Sequence, residues 1–580
     1  MSMVTSLVLR RMRVPLLVLI AAYSISILGF VLIPGVDEYG QRWHMNFFEA
    51  IYFVSYMATT IGFGELPQAF SAAQRMWTTV TIYLSVVGWV YAIGSILALV
   101  QNSLLKRKIE ETRFTRSVNR LSDNFFIICG YGETARLLVY SLVNRGFQAV
   151  VIDQDSDRID ELIMSDIPQM VPALVADASD SNVLMDAGLL NENCEGVVAL
   201  TDSDEVNLKI AISCRLLKKT VKVICRAETL DTEANMRSFS TDYIINPFES
   251  FASRLAMALH SPSSYLINQW LTGVPGTVLH DPVSPPRGLW LLCGYGRFGK
   301  AVHRFLTFEG VTTRIIESDH KLTEPPEGSI VGRGTEAVTL RNAGIADAVG
   351  IVAGTDNDTN NLSIIYTAKE QNANLFSVAR QNDGNNTKLF QNAPLDIVME
   401  SSDIIAHEIL SVILAPLLAT FLKQVKSHGN DWACELISRL IAIVGETTPD
   451  TWGMTICEEQ TPAVISALEQ GNRVVVGDLT RHHLDRDKKL EIMLLMISRN
   501  DEESESGTRL ITLPESDFPL QAGDEILFCS REGVRNEIAW IVRNRNSLHY
   551  VQTGEHVSEG WIWRMLSGNN RVHAADEVKH

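Results

Sequence analysis

The sequence predicts a two-span helical membrane domain with a short re-entrant helix, followed by two Rossmann-like α/β domains and an α+β C-terminal subdomain. Three observations support this fold class: two long uncharged apolar runs near the start, a glycine-rich motif that occurs twice, and a final region of short strand-like runs. The chain has 580 residues, of which 46% are hydrophobic and 20% charged. This composition excludes a disordered chain.

The charge is unevenly distributed. The formal net charge is −18, with residues 1–100 at +1 and the remainder at −19. Neutralising phosphates requires a surplus of Lys and Arg, so we expect no nucleic-acid partner. The eight cysteines form no CxxC pair, and several lie in apolar runs, which indicates reduced, buried, cytosolic thiols.

Residues 14–33 and 76–100 are free of charged side chains, and each run is long enough to cross a hydrocarbon core of about 30 Å. A cleaved signal peptide is the alternative for the first run. The run is too long for one, and no small-residue cleavage site follows it. Basic residues precede the first run and follow the second, so we expect a multi-pass protein of the cell membrane with both termini cytoplasmic.

The outer loop between the two spans contains a third apolar stretch, residues 46–58, which is too short to cross a bilayer but long enough for a re-entrant helix. The next residues are Thr59 and then Thr60, Ile61, Gly62, Phe63 and Gly64. Irregular backbone at membrane depth is tolerated only where protein covers it or where it lines an aqueous path. The glycines allow backbone angles that turn successive carbonyls to one side, so four such segments could form rings of oxygens around a dehydrated cation.

Thr60-Ile61-Gly62-Phe63-Gly64 resembles the potassium-channel selectivity filter, usually written TVGYG. The resemblance implies that K⁺ is held by the carbonyls of Thr60 to Phe63, with the Thr60 hydroxyl forming the innermost site. Phe63 replaces the usual Tyr and Glu65 the common Asp, and the first change is expected to weaken the side-chain bracing of the filter. A weakly selective cation channel is therefore an alternative.

The second span contains Gly88 and Gly94. Either could be a gating hinge, or both could serve close helix packing, and the sequence does not distinguish these roles. No arginine-rich span is present in the sequence, so we expect no voltage sensor. Opening must then be driven from the cytosolic region.

The cytosolic region contains an internal repeat. The segment FFIICGYGETAR, which begins at Phe125, recurs as LWLLCGYGRFGK from Leu289, and weaker matches follow in the same order with shrinking offsets. In the first copy, strands are predicted to begin near Phe125, Gln148, Ala173, Gly196, Lys222 and Asp242. Strands alternating with helices predict a parallel, doubly wound sheet in each copy.

Each copy carries a candidate nucleotide site at its glycine turn. The turn opens a helix after an apolar strand, and an acidic residue follows 21 positions beyond the second glycine (Asp153 and Glu317), where it could accept hydrogen bonds from ribose. The candidate residues of copy one are Gly130, Tyr131, Gly132, Glu133, Thr134, Ala135, Asp153, Asp177, Ala178, Thr201 and Arg226. Those of copy two are Gly294, Tyr295, Gly296, Arg297, Phe298, Gly299, Glu317, Arg333, Gly334, Thr355 and Arg380.

The two candidate sites differ in charge. Arg333 takes the place of Asp177 in copy two, and Arg297 follows its glycine turn, so copy two is the more basic site and could prefer additional phosphate. Arg226 and Arg380 could contact phosphates or pair with acids at the sheet edge. A degenerate turn that binds nothing is the alternative for either copy.

Two such domains behind a two-span pore resemble the ligand-gated prokaryotic potassium channels with tandem RCK domains (regulators of potassium conductance). The resemblance implies a homotetramer in the lipid bilayer, with eight RCK domains in a gating ring. It also implies crossover helices at 251–261 and 403–423 that swap between neighbouring domains. It suggests a pore domain at 1–101 (filter region 46–65), a linker at 102–122, RCK1 at 123–286, RCK2 at 287–425 and its C-terminal subdomain at 426–543. Within this subdomain, strand-like runs are predicted at 436–446, 453–468, 491–499 and 511–531. Copy one has room only for a shortened version of the subdomain at about 263–286, where four prolines indicate a linker, and residues 544–580 are unassigned.

NAD or an adenine nucleotide (ADP or ATP) is the expected regulatory ligand, and Ca²⁺ is possible because Asp153, Asp155 and Asp157 are clustered, although such a run is usually a solvated loop. A membrane-tethered NAD-dependent oxidoreductase is the main rival. No Tyr-x-x-x-Lys pair or separate substrate domain is evident, so we expect that the protein is not an enzyme. A regulatory subunit of another transporter is disfavoured because the chain has its own filter.

Overall fold

The computed structural model describes residues 3–37, 39–65, 68–101, 103–273, 276, 283–501 and 507–556. The chain forms two compact units, residues 1–120 and 121–580. Within the described residues of the first unit, the elements are α1 (Met3–Leu32), β1 (Gly35–Val36), β2 (Arg42–Trp43), α2 (Phe47–Ala58), α3 (Ala72–Val100) and α4 (Ser103–Val118).

Helices α1 and α3 are long and apolar enough to cross a membrane. Two hydrogen bonds join these helices. Trp77 Nε1 donates to the Ser26 carbonyl at 3.1 Å, and Trp89 Nε1 donates to the Tyr23 hydroxyl at 3.1 Å. The short helix α2 packs between them through a core that includes Phe30 and Phe53. The expected linker after α3 is mostly helical, as α4.

The second unit begins with a Rossmann-like domain, copy one. Its elements are β3 (Phe125–Cys129), α5 (Glu133–Asn144), β4 (Gln148–Asp153), α6 (Ser156–Met164), β5 (Ala173–Val175), α7 (Ser181–Asp186), β6 (Cys194–Ala199), α8 (Asp204–Leu217), β7 (Lys222–Arg226), α9 (Leu230–Ser238), β8 (Tyr243–Ile245), α10 (Pro247–His260) and α11 (Pro262–Thr272). The sheet is parallel with the order β5-β4-β3-β6-β7-β8, which is the doubly wound order that the repeat predicted.

Copy two repeats this topology. Its elements are β9 (Leu289–Cys293), α12 (Arg297–Phe308), β10 (Thr312–Glu317), α13 (His320–Thr323), β11 (Ile330–Val331), α14 (Ala337–Asn342), β12 (Ala348–Ala353), α15 (Asp358–Gln371), β13 (Phe376–Gln381), α16 (Thr387–Gln391), β14 (Ile397–Glu400), α17 (Ser401–Leu414) and α18 (Pro416–His428). The parallel order is β11-β10-β9-β12-β13-β14. The second strand of each sheet ends in the acidic residue, Asp153 or Glu317.

The two copies exchange helices within one chain. Helix α10 of copy one places Phe248, Phe251 and Leu255 in the core of copy two. Helix α17 of copy two in turn places Ile405 and Ile409 in the core of copy one. The resemblance predicted exchange between neighbours, and here the neighbours are the two halves of the same polypeptide.

The predicted single helix at 403–423 is wrong in one respect, because it is two helices bent by 111° between α17 and α18. Pro416 cannot continue the hydrogen-bond ladder of α17 and begins α18 instead. This apolar pair is not a third span, since α17 is buried in the core of copy one and α18 in the core of the C-terminal subdomain.

The C-terminal subdomain follows copy two. Its elements are α19 (Asn430–Val444), β15 (Asp450–Thr455), α20 (Pro462–Glu469), α21 (Val476–Leu479), β16 (Arg481–His482), β17 (Asp485–Lys489), β18 (Ile492–Asn500), β19 (Thr508–Thr512), β20 (Glu525–Ser530), α22 (Val534–Arg543) and α23 (Arg545–Thr553). An antiparallel sheet in the order β15-β20-β18-β19 forms its centre.

Three expectations for this region need correction. Residues 436–446 are mostly helical rather than strand-like, because Ala433, Leu436, Leu440 and Val444 bury one face of α19 at helical spacing. The strand-like run 453–468 likewise ends in a helix, since α20 begins at Pro462. The expected linker after residue 263 begins with the packed helix α11, whose Trp270 is fully buried. The start of the unassigned tail forms α23, and Trp561 and Trp563 lie outside the described residues.

The eight cysteines are free thiols. Six are buried, and burial raises the pKa of Cys214 and of Cys293 to about 12. Cys434 is exposed and Cys457 half-buried, so the expectation of buried thiols does not hold for these two.

Candidate functional site

The filter segment follows a helix that ends within the membrane domain. Asn46 begins α2 as a capping box with Glu49, and the helix ends at Ala58. Left-handed φ angles then occur at Thr60 (60°), Gly62 (62°) and Gly64 (75°), that is, at every second residue. Gly62 and Gly64 adopt this region without strain. Alternation between the two hands of the backbone turns successive carbonyls towards the same side, as a chain of cation ligands requires.

The filter segment is braced by two tyrosines of the preceding helix. The Tyr56 hydroxyl donates to the Glu65 carbonyl at 2.7 Å, and the Tyr52 hydroxyl donates to the Glu65 carboxylate at 2.8 Å. The Tyr56 ring also contacts Phe63, with ring centroids 6.0 Å apart. These two hydrogen bonds hold Glu65 directly after the filter, whereas Phe63 lacks the hydroxyl with which the usual Tyr would donate a hydrogen bond. Sequence reasoning missed both tyrosines, although their position four residues apart on α2 places them on one face.

The two glycines of the second span have different surroundings. A Cβ at Gly88 would lie 3.6 Å from Leu19 Cδ1 and 3.8 Å from Ala22 Cβ, so this glycine lies at the contact with α1. A Cβ at Gly94 would meet no atom within 4 Å among the described residues. Both glycines lie within the continuous helix α3.

The glycine turn of copy one is ordered by hydrogen bonds to the acidic residue Asp153. Gly130 has a φ of 94°, and a Cβ there would lie 3.0 Å from the backbone of Leu200. The backbone N–H of Tyr131 donates to Asp153 Oδ2 at 2.5 Å, and that of Asp155 donates to Asp153 Oδ1 at 2.8 Å. Asp153 therefore orders the turn and the start of the next helix, and each carboxylate oxygen retains a lone pair for a ligand hydroxyl.

A cavity of about 380 Å³ lies at the ends of these strands. Five of the predicted residues line it: Gly130, Asp153, Asp177, Ala178 and Thr201. The position fits the rule that ligands of doubly wound sheets bind at the carboxyl ends of the strands, where the strand order reverses. Gly132, at the N-cap of α5, and Tyr131, Glu133, Thr134, Ala135 and Arg226 do not line this cavity.

The cavity also contains charged residues that sequence reasoning missed. Arg158 lies 3.6 Å from Asp153, from Asp155 and from Asp202. No sequence signal identifies Arg158, because its helix α6 reaches the cleft only through the fold. Burial opposes ionisation of Asp177, but hydrogen bonds from Ser179 and Gln154 together with nearby Lys209 lower its pKa. The cleft of copy one is therefore acidic, with Arg158 as its nearest counter-charge.

The carboxylates of Asp153, Asp155 and Asp157, which were proposed for Ca²⁺, do not surround a common position. The Asp155 side chain accepts from the Asp157 backbone as the cap of α6, while Asp153 faces the glycine turn. Within the described part of the chain, the three carboxylates do not form a group with metal-ligand spacing.

The glycine turn of copy two has the same internal brace. The Tyr295 N–H donates to Glu317 Oε2 at 2.6 Å, and the Asp319 N–H donates to Glu317 Oε1 at 2.9 Å. Gly299 lies directly against the Gly294 carbonyl, so helix α12 starts too close to the turn for any side chain there. Gly334 lies against Cys293 in the same way, while its neighbour Arg333 is exposed.

The candidate arginines lie at the junction of the two copies. Arg297 of copy two pairs with Glu228 of copy one at 2.5 Å, and Arg226 pairs with the same carboxylate group. Arg380 pairs with Asp356 at 2.5 Å and lies over the Phe248 ring at 4.8 Å. Arg226 and Arg380 therefore pair with acids, which is one of the two roles considered for them, and Arg226 does not line the cavity of copy one.

The remaining predicted residues also have defined positions. Thr201 and Thr355 occupy equivalent places, since each donates through its hydroxyl to an Asn of the following helix, Asn207 or Asn361, at 2.7 Å. Phe298 is buried in the core of copy two, and Gly296 is the N-cap of α12. Glu133 lies against Gly384 of copy two, across the junction.

Comparison with known proteins identifies the domains. Residues 14–102 match the ion channel family, and residues 126–247 and 290–401 both match the TrkA-N domain. The chain therefore contains an ion channel domain and two TrkA-N domains.

Two relatives come from Methanocaldococcus jannaschii. Potassium channel protein 1 is 24% identical over 35% of this chain and 59% of its own length, and probable potassium channel protein 2 is 25% identical over 41% and 64%. The alignments thus span less than two thirds of each relative. These relatives are named as channels rather than enzymes, in agreement with the expectation from the sequence. A solved structure of the GsuK channel bound to NAD aligns with 93% of this chain and 100% of that chain, at 14% identity and a TM-score of 0.46.

Proposed function

From the union of an ion channel domain with two TrkA-N domains in one chain, we propose a potassium-selective channel that cytosolic nucleotides open or close. The observation that carries the proposal is the alternation of left-handed backbone at Thr60, Gly62 and Gly64, directly after a capped helix too short to span the bilayer. Four such segments around an axis would supply rings of carbonyls for K⁺, with the Thr60 hydroxyl innermost. The names of both sequence relatives support potassium as the ion.

The channel would be a homotetramer in the cell membrane, with both termini cytoplasmic and a ring of eight nucleotide-binding domains. The exposed faces of the filter residues Ile61 and Phe63 support such an assembly, because one chain cannot surround an ion with this segment. The basic residues that flank the two spans support the orientation.

Copy one would bind the ribose-containing part of a ligand such as NAD or an adenosine nucleotide. Asp153 and Asp177 line its cavity and can accept hydrogen bonds from ribose hydroxyls. Copy two would favour a ligand with more phosphate charge, such as ADP or ATP, because Arg297 begins helix α12 at its glycine turn and Arg333 takes the place of Asp177.

Gating would follow from unequal affinity of the nucleotide for two conformations of the ring. A tenfold preference per site corresponds to about 1.4 kcal/mol, and four sites together supply about 5.5 kcal/mol. The pull on α3 would bend it at Gly94 rather than at Gly88, because a Cβ at Gly88 would contact α1 whereas one at Gly94 would meet no atom within 4 Å among the described residues.

The proposal is tested with purified full-length protein in liposomes. We expect K⁺ efflux that NAD, ADP or ATP on the cytosolic face increases or decreases, while Na⁺ efflux stays low. Equal K⁺ and Na⁺ flux would favour the weakly selective alternative. Potassium flux that no nucleotide changes would refute the ligand assignment but leave the pore intact, and Ca²⁺ in a separate arm tests the ion that the acidic run suggested.

A further inference from the structure

A group of metal-ligating side chains lies in the C-terminal subdomain, away from the glycine turns. His482 and His483 lie on the hairpin formed by β16 and β17, and Glu537 lies on α22. One ligand atom from each residue comes within 4.8 Å of the others. His482 Nε2 lies 3.5 Å and His483 Nδ1 2.8 Å from Glu537 Oε2.

Two of these ligand atoms are buried without a hydrogen bond. His483 Nδ1 and Glu537 Oε2 are shielded from solvent, and within the described ranges neither makes a hydrogen bond of acceptable geometry, although they are 2.8 Å apart. Buried polar atoms in folded proteins almost always have a partner, so an orphaned pair requires an explanation. A cation coordinated by both atoms would satisfy them together.

We propose that His482, His483 and Glu537 bind a divalent transition-metal ion of the Zn²⁺ type. Two imidazoles and one carboxylate are a ligand set found in zinc sites, and a water molecule would complete a tetrahedron. Metal–ligand distances of about 2.0–2.2 Å separate two ligands of a tetrahedron by about 3.4 Å. The 3.5 Å between His482 Nε2 and Glu537 Oε2 fits this spacing, and the 2.8 Å between His483 Nδ1 and Glu537 Oε2 would widen when the ion enters. Ca²⁺ and Mg²⁺ prefer all-oxygen sites and would bind poorly here.

The surroundings hold the two imidazoles in position. The rings of His482 and His483 are stacked with centroids 4.8 Å apart, and Trp540 lies parallel to His483 at 5.9 Å on the next turn of α22. The Leu484 N–H donates to His482 Nδ1 at 3.1 Å. Coordination through Nε2 moves the ring proton to Nδ1, so this bond must open when the metal binds. The ion would then tie the hairpin to α22 in place of that local bond.

The test uses metal-free full-length protein in detergent, titrated with Zn²⁺ by calorimetry and with Co²⁺ by visible absorption. We expect one additional Zn²⁺ per chain relative to the variants His483→Gln and Glu537→Gln, and a Co²⁺ spectrum typical of four-coordinate nitrogen and oxygen ligands. Loss of one ligand should weaken binding by at least about 10- to 100-fold, the range found when even an outer-shell partner is removed. His549→Gln, an exposed histidine of α23, should bind as the parent does.

Thermal unfolding without metal distinguishes a variant that has lost only the metal site from one that is misfolded, because only the misfolded variant unfolds at a lower temperature than the parent. The parent should gain thermal stability on adding Zn²⁺, and Glu537→Gln should unfold at a similar temperature with and without it. Equal Zn²⁺ stoichiometry and affinity in the parent and in both variants would overturn the proposal, and so would a parent without a four-coordinate Co²⁺ spectrum.

Discussion

The brace between Tyr56 and Glu65 gives the sharpest prediction about the pore. Tyr56 is buried, and its hydroxyl donates to the Glu65 carbonyl at 2.7 Å, directly after the last filter glycine. The substitution Tyr56→Phe removes this bond and keeps the ring that contacts Phe63. A neutral hydrogen bond contributes about 1 kcal/mol, so the proposed tetramer would lose about 4 kcal/mol of stabilisation of its conducting filter, roughly a thousandfold in equilibrium.

The assay is single-channel recording of the parent and variant in planar bilayers with symmetric K⁺. We expect Tyr56→Phe to shorten the conducting bursts strongly while the unitary conductance changes little. Tyr83→Phe, on the exposed surface of α3, is the matched control and should leave the bursts unchanged. Burst durations of Tyr56→Phe equal to those of the parent would refute the role of this brace.

Three further predictions concern the second unit. Gly130→Ala should weaken nucleotide binding to copy one at least about tenfold by calorimetry, because a left-handed residue with a Cβ is strained by about 1–2 kcal/mol and this Cβ would also contact Leu200. The control Gly146→Ala has a similar φ but open space around the Cβ, and it should leave nucleotide binding unchanged. Ile409→Ala should lower the free energy of unfolding in urea by about 2–5 kcal/mol, since Ile409 is fully buried in the other copy's core, whereas exposed Ile163→Ala should change it by less than about 0.5 kcal/mol. Burial lowers the pKa of His303 below the usual 6.5, so the unfolded chain binds a proton at this residue more readily than the folded protein does, and the folded protein loses stability as the pH falls below about 6.5. His303→Gln should therefore lose less thermal stability than the parent between about pH 7.5 and 5.5, and an equal loss would contradict this.

Much of the fold was predictable because its signals are local and repeated. An apolar strand followed by a glycine turn and a helix occurs twice, and the strands of copy one begin within two residues of the predicted positions. The filter segment was equally distinct, because positive φ at Gly62 and Gly64 is a property that glycine supplies by itself.

The features that sequence reasoning missed depend on contacts between distant segments. Arg158 enters the cleft of copy one only because α6 packs beside the strand that ends in Asp153. Arg297 pairs with Glu228 across the junction of the two copies, a contact that no local sequence pattern specifies. Residues 436–446 were mistaken for a strand because a short apolar run does not distinguish a buried strand from the buried face of a helix.

In the proposed channel, Thr60 to Gly64 from several chains form a potassium filter. The most direct measurement is the reversal potential of the reconstituted full-length channel with K⁺ on one side and Na⁺ on the other. We expect a reversal potential displaced far in the direction set by the K⁺ gradient, and we expect Gly62→Ala to lose most of this displacement. A reversal potential near zero, or the absence of any K⁺ current whatever nucleotide is present, would contradict it.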